Sequence, residues 1–374
     1  VKFRVERDVF ADAVAWAARS LPVRPSAPVL AGLLIEAGDE GLVLSSFDYE
    51  TSARAELSAD LEVSGKVLVS GRLLADICRS LPHKPIDFDL NGAKLELKCG
   101  SGRFSLQTMP VEDYPSLPTV PPASGVVNGE EFASAVSQAV TAAGRDDMLP
   151  VLTGVRIEIE GDRMSLLATD RFRLSHRELT WTPNDTTASL AALVPAKVLS
   201  DTAKTLSGDV TISISSAGGE GIIGFEGRSG DGLRRTTTRL LDGEFPKVRS
   251  LFPAEHLTVA TISKQELIDT VKRVALVAER NTAVQLRFVG DEVILDSQSG
   301  DEAQATEAVS ADVTGDDLVT GFNPEYLLQG LSAMAGDKVD LSFTQPTKPV
   351  VIQATGASEN NLFRYLLMPR RLLS

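Results

Sequence analysis

Pro28-Val29-Leu30-Ala31-Gly32 and Pro150-Val151-Leu152-Thr153-Gly154 are near copies of one another, 122 residues apart. The same shift carries Leu44-Ser45-Ser46-Phe47-Asp48 onto Leu166-Leu167-Ala168-Thr169-Asp170, and Phe10, Val14 and Ala17 onto Phe132, Val136 and Ala139. Further along, Val69-Ser70-Gly71-Arg72 meets Val194-Pro195-Ala196-Lys197 at a shift of 125, and Glu112-Asp113-Tyr114-Pro115 meets Gly243-Glu244-Phe245-Pro246 at 131. A shift that drifts by a few residues marks loops of different length, which cost little free energy. A third copy is fainter. Leu267, Val271 and Val274 repeat the spacing of Phe132, Val136 and Ala139, and Asn323-Pro324-Glu325-Tyr326 stands where Arg72-Leu73-Leu74 and Lys197-Val198-Leu199 stand. Three units of about 125 residues are domains rather than short solenoid repeats. The predicted domains are 1–122, 123–252 and 253–374.

Each unit opens on a helix with apolar residues at i, i+4 and i+7. Alternating strands follow, then a second helix near 72–81, 197–206 and 324–334, then more strands such as 86–90, 94–98 and 103–108. Asn91-Gly92 between two alternating runs reads as a hairpin, so the sheets should be largely antiparallel. Segments near 119–126 and 250–256 read as linkers. The fold class is α+β, with two helices packed on sheet in each domain.

Composition narrows the function. The chain has 374 residues, 43% of them hydrophobic, with 37 Lys+Arg against 51 Asp+Glu for a net charge of −14. That is a folded, acidic protein with no apolar run long enough for a bilayer, and no membrane partner is expected. The first residues lack the apolar core of a signal peptide, and Cys78 and Cys99 form no disulfide framework, so a cytoplasmic setting is expected. His83, His176 and His256 are far apart, and neither a metal nor another cofactor is expected. Gly218-Gly219-Glu220-Gly221 reads as a hairpin tip, not a phosphate cradle. Asp170, after Thr169, is duplicated as Asp48. It reads as a turn device that accepts backbone N–H groups two residues on and pairs with Arg173. No catalytic constellation can be assembled.

The second helices carry the most informative charges. Arg72 and Arg79 share a helix face, and a shift of 125 turns them into Lys197 and Lys204. Asp76 and Asp201 are their alternative i+4 partners on a merely solvated face. At this point the chain resembles a known family. The blocks Pro28-Val29-Leu30, Pro150-Val151-Leu152, residues 168–174, residues 321–326 and the terminal Tyr365-Leu366-Leu367-Met368-Pro369-Arg370-Arg371-Leu372 are similar to the bacterial sliding clamps, the beta subunits of DNA polymerase III. The resemblance covers essentially the whole chain.

It implies a DNA clamp fold and a ring-shaped head-to-tail homodimer with pseudo-six-fold symmetry. Such a ring encircles double-stranded DNA and tethers the replicative DNA polymerase. The clamp loader and other proteins with a clamp-binding motif are its further implied partners. Elementary geometry agrees: six helices packed side by side enclose a bore of only about 7 Å, whereas the twelve of two chains leave roughly 25 Å. The DNA contacts implied are Arg24, Arg72, Arg79 and Lys197, with Lys204 added from the repeat. They should meet phosphate rather than bases, since sliding favours no register.

A pocket for partner peptides carrying a glutamine and apolar residues is implied at Leu152, Thr169, Arg171, Phe172, Arg173, Leu174, Pro246, Leu251, Asn323, Tyr326, Met368, Pro369, Arg370, Arg371 and Leu372. Relatives often have Gly-His where this chain has Arg171-Phe172, and Arg where it has Ser250, so specificity should differ. The implied dimer contacts are Phe104 and Leu106 against Leu276 and Val277 of the partner. The competing readings are a repeated α+β hydrolase using acids such as Asp170 and Glu178, and a generic protein-binding scaffold.

Overall fold

A computed structural model describes residues 1–215, 221–230, 232–279 and 282–372. The expected hairpin tip at Gly218-Gly219-Glu220 lies outside the described residues. Six α-helices are described: α1 (Arg7–Ala18), α2 (Gly71–Ser80), α3 (Gly129–Ala139), α4 (Ala196–Ala203), α5 (Lys264–Val274) and α6 (Pro324–Ala333). The periodic residues that predict the opening helices are buried in all three copies: Phe10, Val14 and Ala17, then Phe132, Val136 and Ala139, then Leu267, Val271 and Val274. Local chemistry sets the starts of α5 and α6. The Ser263 hydroxyl accepts from Glu266 N, and the Asn323 carboxamide oxygen accepts from Glu325 N and Tyr326 N with Pro324 behind it. Both satisfy amides that the helix itself leaves unpaired.

The structure shortens one expected helix. α4 stops at Ala203, three residues before the predicted end. Thr205 causes this, because its amide and hydroxyl both turn back onto the Thr202 carbonyl, each at 3.0 Å. Lys204 therefore lies just past the helix, and Lys197 and Lys204 do not share one helical stripe as Arg72 and Arg79 do.

The residues form two compact units, which do not coincide with the three repeats. One holds residues 1–130, 182–185 and 201–240, the other 131–181, 186–200 and 241–374. The central repeat is divided between them because hydrogen-bonded sheet runs past each repeat boundary. The first unit has a 14-stranded sheet in which Thr51–Leu57 pairs with Gly232–Arg239, Thr51 opposite Thr238. The second has a 12-stranded sheet in which Arg173–Thr180 pairs with Phe363–Leu367, Arg173 opposite Leu367. Pairing among the described residues is antiparallel throughout, as expected. The predicted hairpin is present, with Asn91 opposite Lys94 and Gly92 at φ +58° in the turn, where a left-handed residue is needed.

Within the first unit, Phe3 stacks on Phe88 at 4.6 Å and Phe10 tilts onto Phe88 at 4.9 Å, at the centre of a core capped by α1 and α2. Cys78 and Cys99 are buried there as free thiols, and burial pushes the Cys78 thiol up to about 12. α1 is tied to the central repeat's strands: Trp16 Nε1 donates to Thr205 Oγ1 at 3.0 Å, and Arg234 lies over the Trp16 ring while pairing with Asp12. The second unit's main core gathers Phe288, Phe322, Phe343 and Tyr365 beneath α5 and α6.

Candidate peptide groove and exposed cations

The strand Arg163–Thr169 ends in a tight turn that builds one wall of a groove. Asp170 Oδ1 accepts from Phe172 N and Arg173 N at 3.0 and 3.1 Å, and Oδ2 accepts from Arg173 Nε at 3.0 Å. Asp170 is thus the turn device expected. Asp48 does the same for Glu50 N and Thr51 N. Between each Asp and its partners sits a residue with left-handed backbone, Arg171 at φ 79° and its repeat equivalent Tyr49 at φ 73°. Such a conformation costs a non-glycine residue roughly 1 kcal/mol or more, so the Asp bracket must hold it.

The turn leaves Phe172 half-exposed, 6.4 Å from the Tyr326 ring. Arg173 goes the other way. Its buried guanidinium lies 4.1 Å over the Tyr326 ring, donates to Gln329 Oε1, and reaches the Tyr365 hydroxyl at 3.3 Å. Tyr365 in turn donates to the Tyr326 carbonyl at 2.9 Å. Burial, ahead of its other neighbours, pushes the Tyr365 phenol up to about 12, so it remains a neutral donor.

Of the predicted pocket residues, Leu152, Arg171, Phe172, Arg173 and Tyr326 line one cavity of about 290 Å³. The C-terminal strand supplies a neighbouring edge: Met368 N donates to the Phe172 carbonyl at 2.9 Å and Arg370 N to the Gly321 carbonyl at 2.8 Å. Met368, Arg371 and Leu372 are exposed, Pro369 is partly so, and Leu372 lies against Gly321. Three predicted residues do not line that cavity but support it. Thr169 donates to the Arg173 carbonyl at 2.7 Å, Leu174 is core, and Asn323 caps α6. Pro246 lines a separate cavity of about 410 Å³ with Ser250, and Leu251 is exposed beside it.

Sequence reasoning missed the loop after α3. Ala143, Gly144, Arg145, Asp146 and Leu149 line the first cavity, with Glu325 and Gln329 from α6. The repeat itself could have found the loop, because a shift of 122 carries Val23 and Arg24 onto Arg145 and Asp146.

A second polar cluster was also unforeseen. His176 is 1% exposed, with Arg364 Nη2 at 2.9 Å from Nδ1, Arg249 Nη1 at 3.5 Å from Nε2 and Glu178 Oε1 at 3.3 Å from Nε2. Arg249 also pairs with Glu158 at 2.6 Å, and Arg364 lies 4.0 Å over the Phe252 ring. Burial first, and then the Arg364 and Arg249 charges, push His176 down to about 4 against the opposing pull of Glu178 and Glu158. The folded protein therefore keeps His176 neutral where an unfolded chain would protonate it. As pH falls from about 6.5 to about 4 the unfolded state gains the proton first, so stability should fall by up to about 3 kcal/mol from this group. Urea midpoints measured across that range should drop in the native protein. They should drop less in His176→Gln; parallel curves would assign the loss to other groups.

The predicted DNA-facing cations are all exposed. Arg72 Nη2 lies 3.3 Å from the carbonyl oxygens of Leu21 and Pro22, at the root of the loop that carries Arg24. Arg79 sits 3.6 Å from Asp76, with both side chains largely in solvent. The proposed Arg72–Asp76 and Lys197–Asp201 pairs do not form among the described residues. Of the four predicted dimer residues, Leu276 is 83% exposed and Phe104 38%, and Val277 is half-buried. Leu106 is 3% exposed, inside the first core, so its side chain forms no part of a surface.

Repeated helix-on-sheet domains and a turn-built groove lined by exposed Phe172 and Arg171 are the features of a protein that binds other chains. Comparison with known proteins agrees. Three family models match in order: the DNA polymerase III beta subunit N-terminal domain over residues 1–118, its central domain over 126–247 and its C-terminal domain over 249–371. The "Beta sliding clamp" of Streptomyces coelicolor is 56% identical over 378 residues, covering 100% of both chains. That of Micrococcus luteus is 50% identical, over 83% of this chain and 98% of its own. A crystal structure of the DNA polymerase sliding clamp from Bacillus subtilis superimposes with a TM-score of 0.91 at 24% identity, covering 100% of this chain and 99% of that one.

The chain belongs to the DNA polymerase III beta subunit family, the beta sliding clamps. As a member of that family it is a replication processivity factor. No helix among the described residues is long and apolar enough to cross a membrane.

Proposed function

We propose that two copies of this chain close head to tail into a ring around duplex DNA, and that the ring holds a replicative polymerase on its template. The domains of each protomer are 1–122, 123–252 and 253–374. The observation that carries this reading is full-length identity of 56% to a beta sliding clamp. Two half-open strands support the ring. Gly102–Met109 pairs with Lys94–Cys99 but meets its other neighbour only at Thr108 and Met109. Ala303–Gly315 pairs along residues 303–310 with Glu292–Ser299, while its opposite side is covered only from Ala311 to Gly315. Among the described residues these two strands therefore carry partly unpaired edges, with Phe104 on one and Leu276 near the other. Unpaired edges invite a further strand, and two different patches per chain suit a head-to-tail closure.

Arg24, Arg72, Arg79, Lys197 and Lys204 supply exposed charge for phosphate, while the acidic total limits adhesion elsewhere. DNA is then held by linkage rather than by tight contact. The groove at Phe172 and Tyr326 takes the docking peptides of the polymerase, the clamp loader and other partners. Loaded protein should stay on nicked circular DNA through gel filtration and leave when the circle is cut. Arg24→Glu with Arg72→Glu should reduce the loaded fraction about tenfold with the melting curve unchanged, since each reversal adds repulsion at phosphate. Equal retention on linear and circular DNA would refute encirclement.

A further inference from the structure

A second cavity adjoins the one beside Phe172. The cavity beside Phe172, about 290 Å³, is at the low end of the range for binding pockets, roughly 300–1,000 Å³. The second, of about 530 Å³, shares Ala143, Arg145 and Gln329 with it, so the two adjoin at the α3 loop and α6 and are together termed the channel. Its remaining wall is small, hydroxylic or apolar, including Ser137, Thr141, Leu328 and Ser332.

Charge in the channel is unevenly satisfied. Asp170 is occupied by Arg173 and two turn amides, Glu325 accepts from Gln329 Nε2 at 3.0 Å, and Asp146 accepts from Met148 N at 2.9 Å. Arg145 is exposed, has no ion pair among the described residues, and is the single charged residue lining the second cavity. Arg171 is exposed on the first cavity's wall, its guanidinium 6.0 Å from the Phe172 ring centre. Among the described residues only Asp170 of these acids has a cationic partner; the charges of Asp146 and Glu325 line the first cavity only, which leaves Arg145 as the uncompensated charge on the second.

We propose that the channel takes partner segments longer than the apolar docking core, with an acidic residue at one end of that core seated in the second cavity against Arg145. This rests on the reading of the first cavity as a peptide site. Arg145, the single charge on the second cavity's wall, selects a carboxylate-bearing flank over a basic one.

Fluorescence anisotropy on the full chain tests it, with a labelled core peptide of one glutamine and apolar residues, the same peptide with three aspartates added at either end, and lysine-extended controls. One aspartate extension should tighten binding about fivefold at low salt, as a partly exposed ion pair allows, and the gain should shrink as salt rises. Arg145→Ala and, independently, Ser332→Trp should bring the ratio of extended to core affinity back to about one. Either substitution leaving the gain intact, or an equal gain from lysines, overturns the proposal. Core peptide that binds with no gain from aspartate overturns the proposal alone. Core peptide that does not bind removes the peptide-site reading and the proposal with it.

Discussion

Replacing Arg173 with alanine is expected to lower the free energy of unfolding by about 3 kcal/mol and to abolish capture of docking peptides. The guanidinium is buried, and it joins the Asp170 turn, Gln329 on α6, the Tyr326 ring and the Tyr365 hydroxyl on the last strand. Its removal leaves Asp170 without its cation and opens a void under Tyr326. Asp170 keeps two backbone N–H partners, which holds the cost near the low end of the range for breaking a buried pair. The peptide wall should suffer more than the stability suggests, because Tyr326 loses the guanidinium against its ring and Phe172 faces that ring. Arg173→Lys restores a charge but neither the fork nor the stacking, and should recover only part of the stability. Urea titration and peptide anisotropy on the same variants check this. A variant that loses less than about 1 kcal/mol and still binds peptide would show that the turn holds itself.

Leu276→Lys should convert the ring to monomers and eliminate retention on circular DNA while the chain stays folded. Leu276 is almost wholly exposed and adds nothing to the monomer's core, so folding should change by no more than about 0.5 kcal/mol. In the proposed assembly it is buried against the partner, worth about 2 kcal/mol of apolar burial, and a lysine there would carry an unpaired charge into the contact. A head-to-tail dimer contains the contact twice, so at least about 4 kcal/mol is lost, a factor of roughly a thousand in dissociation constant. Sedimentation equilibrium gives the answer directly. An unchanged dimer would move the interface elsewhere.

Much of this molecule is legible in one dimension because duplication writes each signal more than once. Phe10, Val14 and Ala17 alone would suggest a one-sided helix; seen again at 132, 136 and 139 and at 267, 271 and 274, they fix three buried helices. Asp170 could be dismissed as a catalyst because Asp48 stands in the same place, and both proved to bracket a left-handed residue. The helix boundary at Ala203 escaped, since a threonine's choice between solvent and the carbonyl of residue 202 depends on local geometry that spacing does not carry. Leu106 came from the resemblance alone; it shares a strand face with Phe104, two residues away, yet lies in the core while Phe104 is 38% exposed, because what packs over each position differs along that face.

The sequence by itself determined the repeat, the α+β class, the antiparallel pairing and the family. All of these follow from periodicity and from short blocks that survive in order. Tertiary structure decided what the side chains do. It joined the central repeat's strands to those of its neighbours in two separate sheets, and placed His176 between two guanidinium groups from distant segments. It also brought Arg145, Arg171 and Gln329 to one cavity from three parts of the chain. Burial and ion pairing arise between residues far apart in sequence, so no local pattern encodes them.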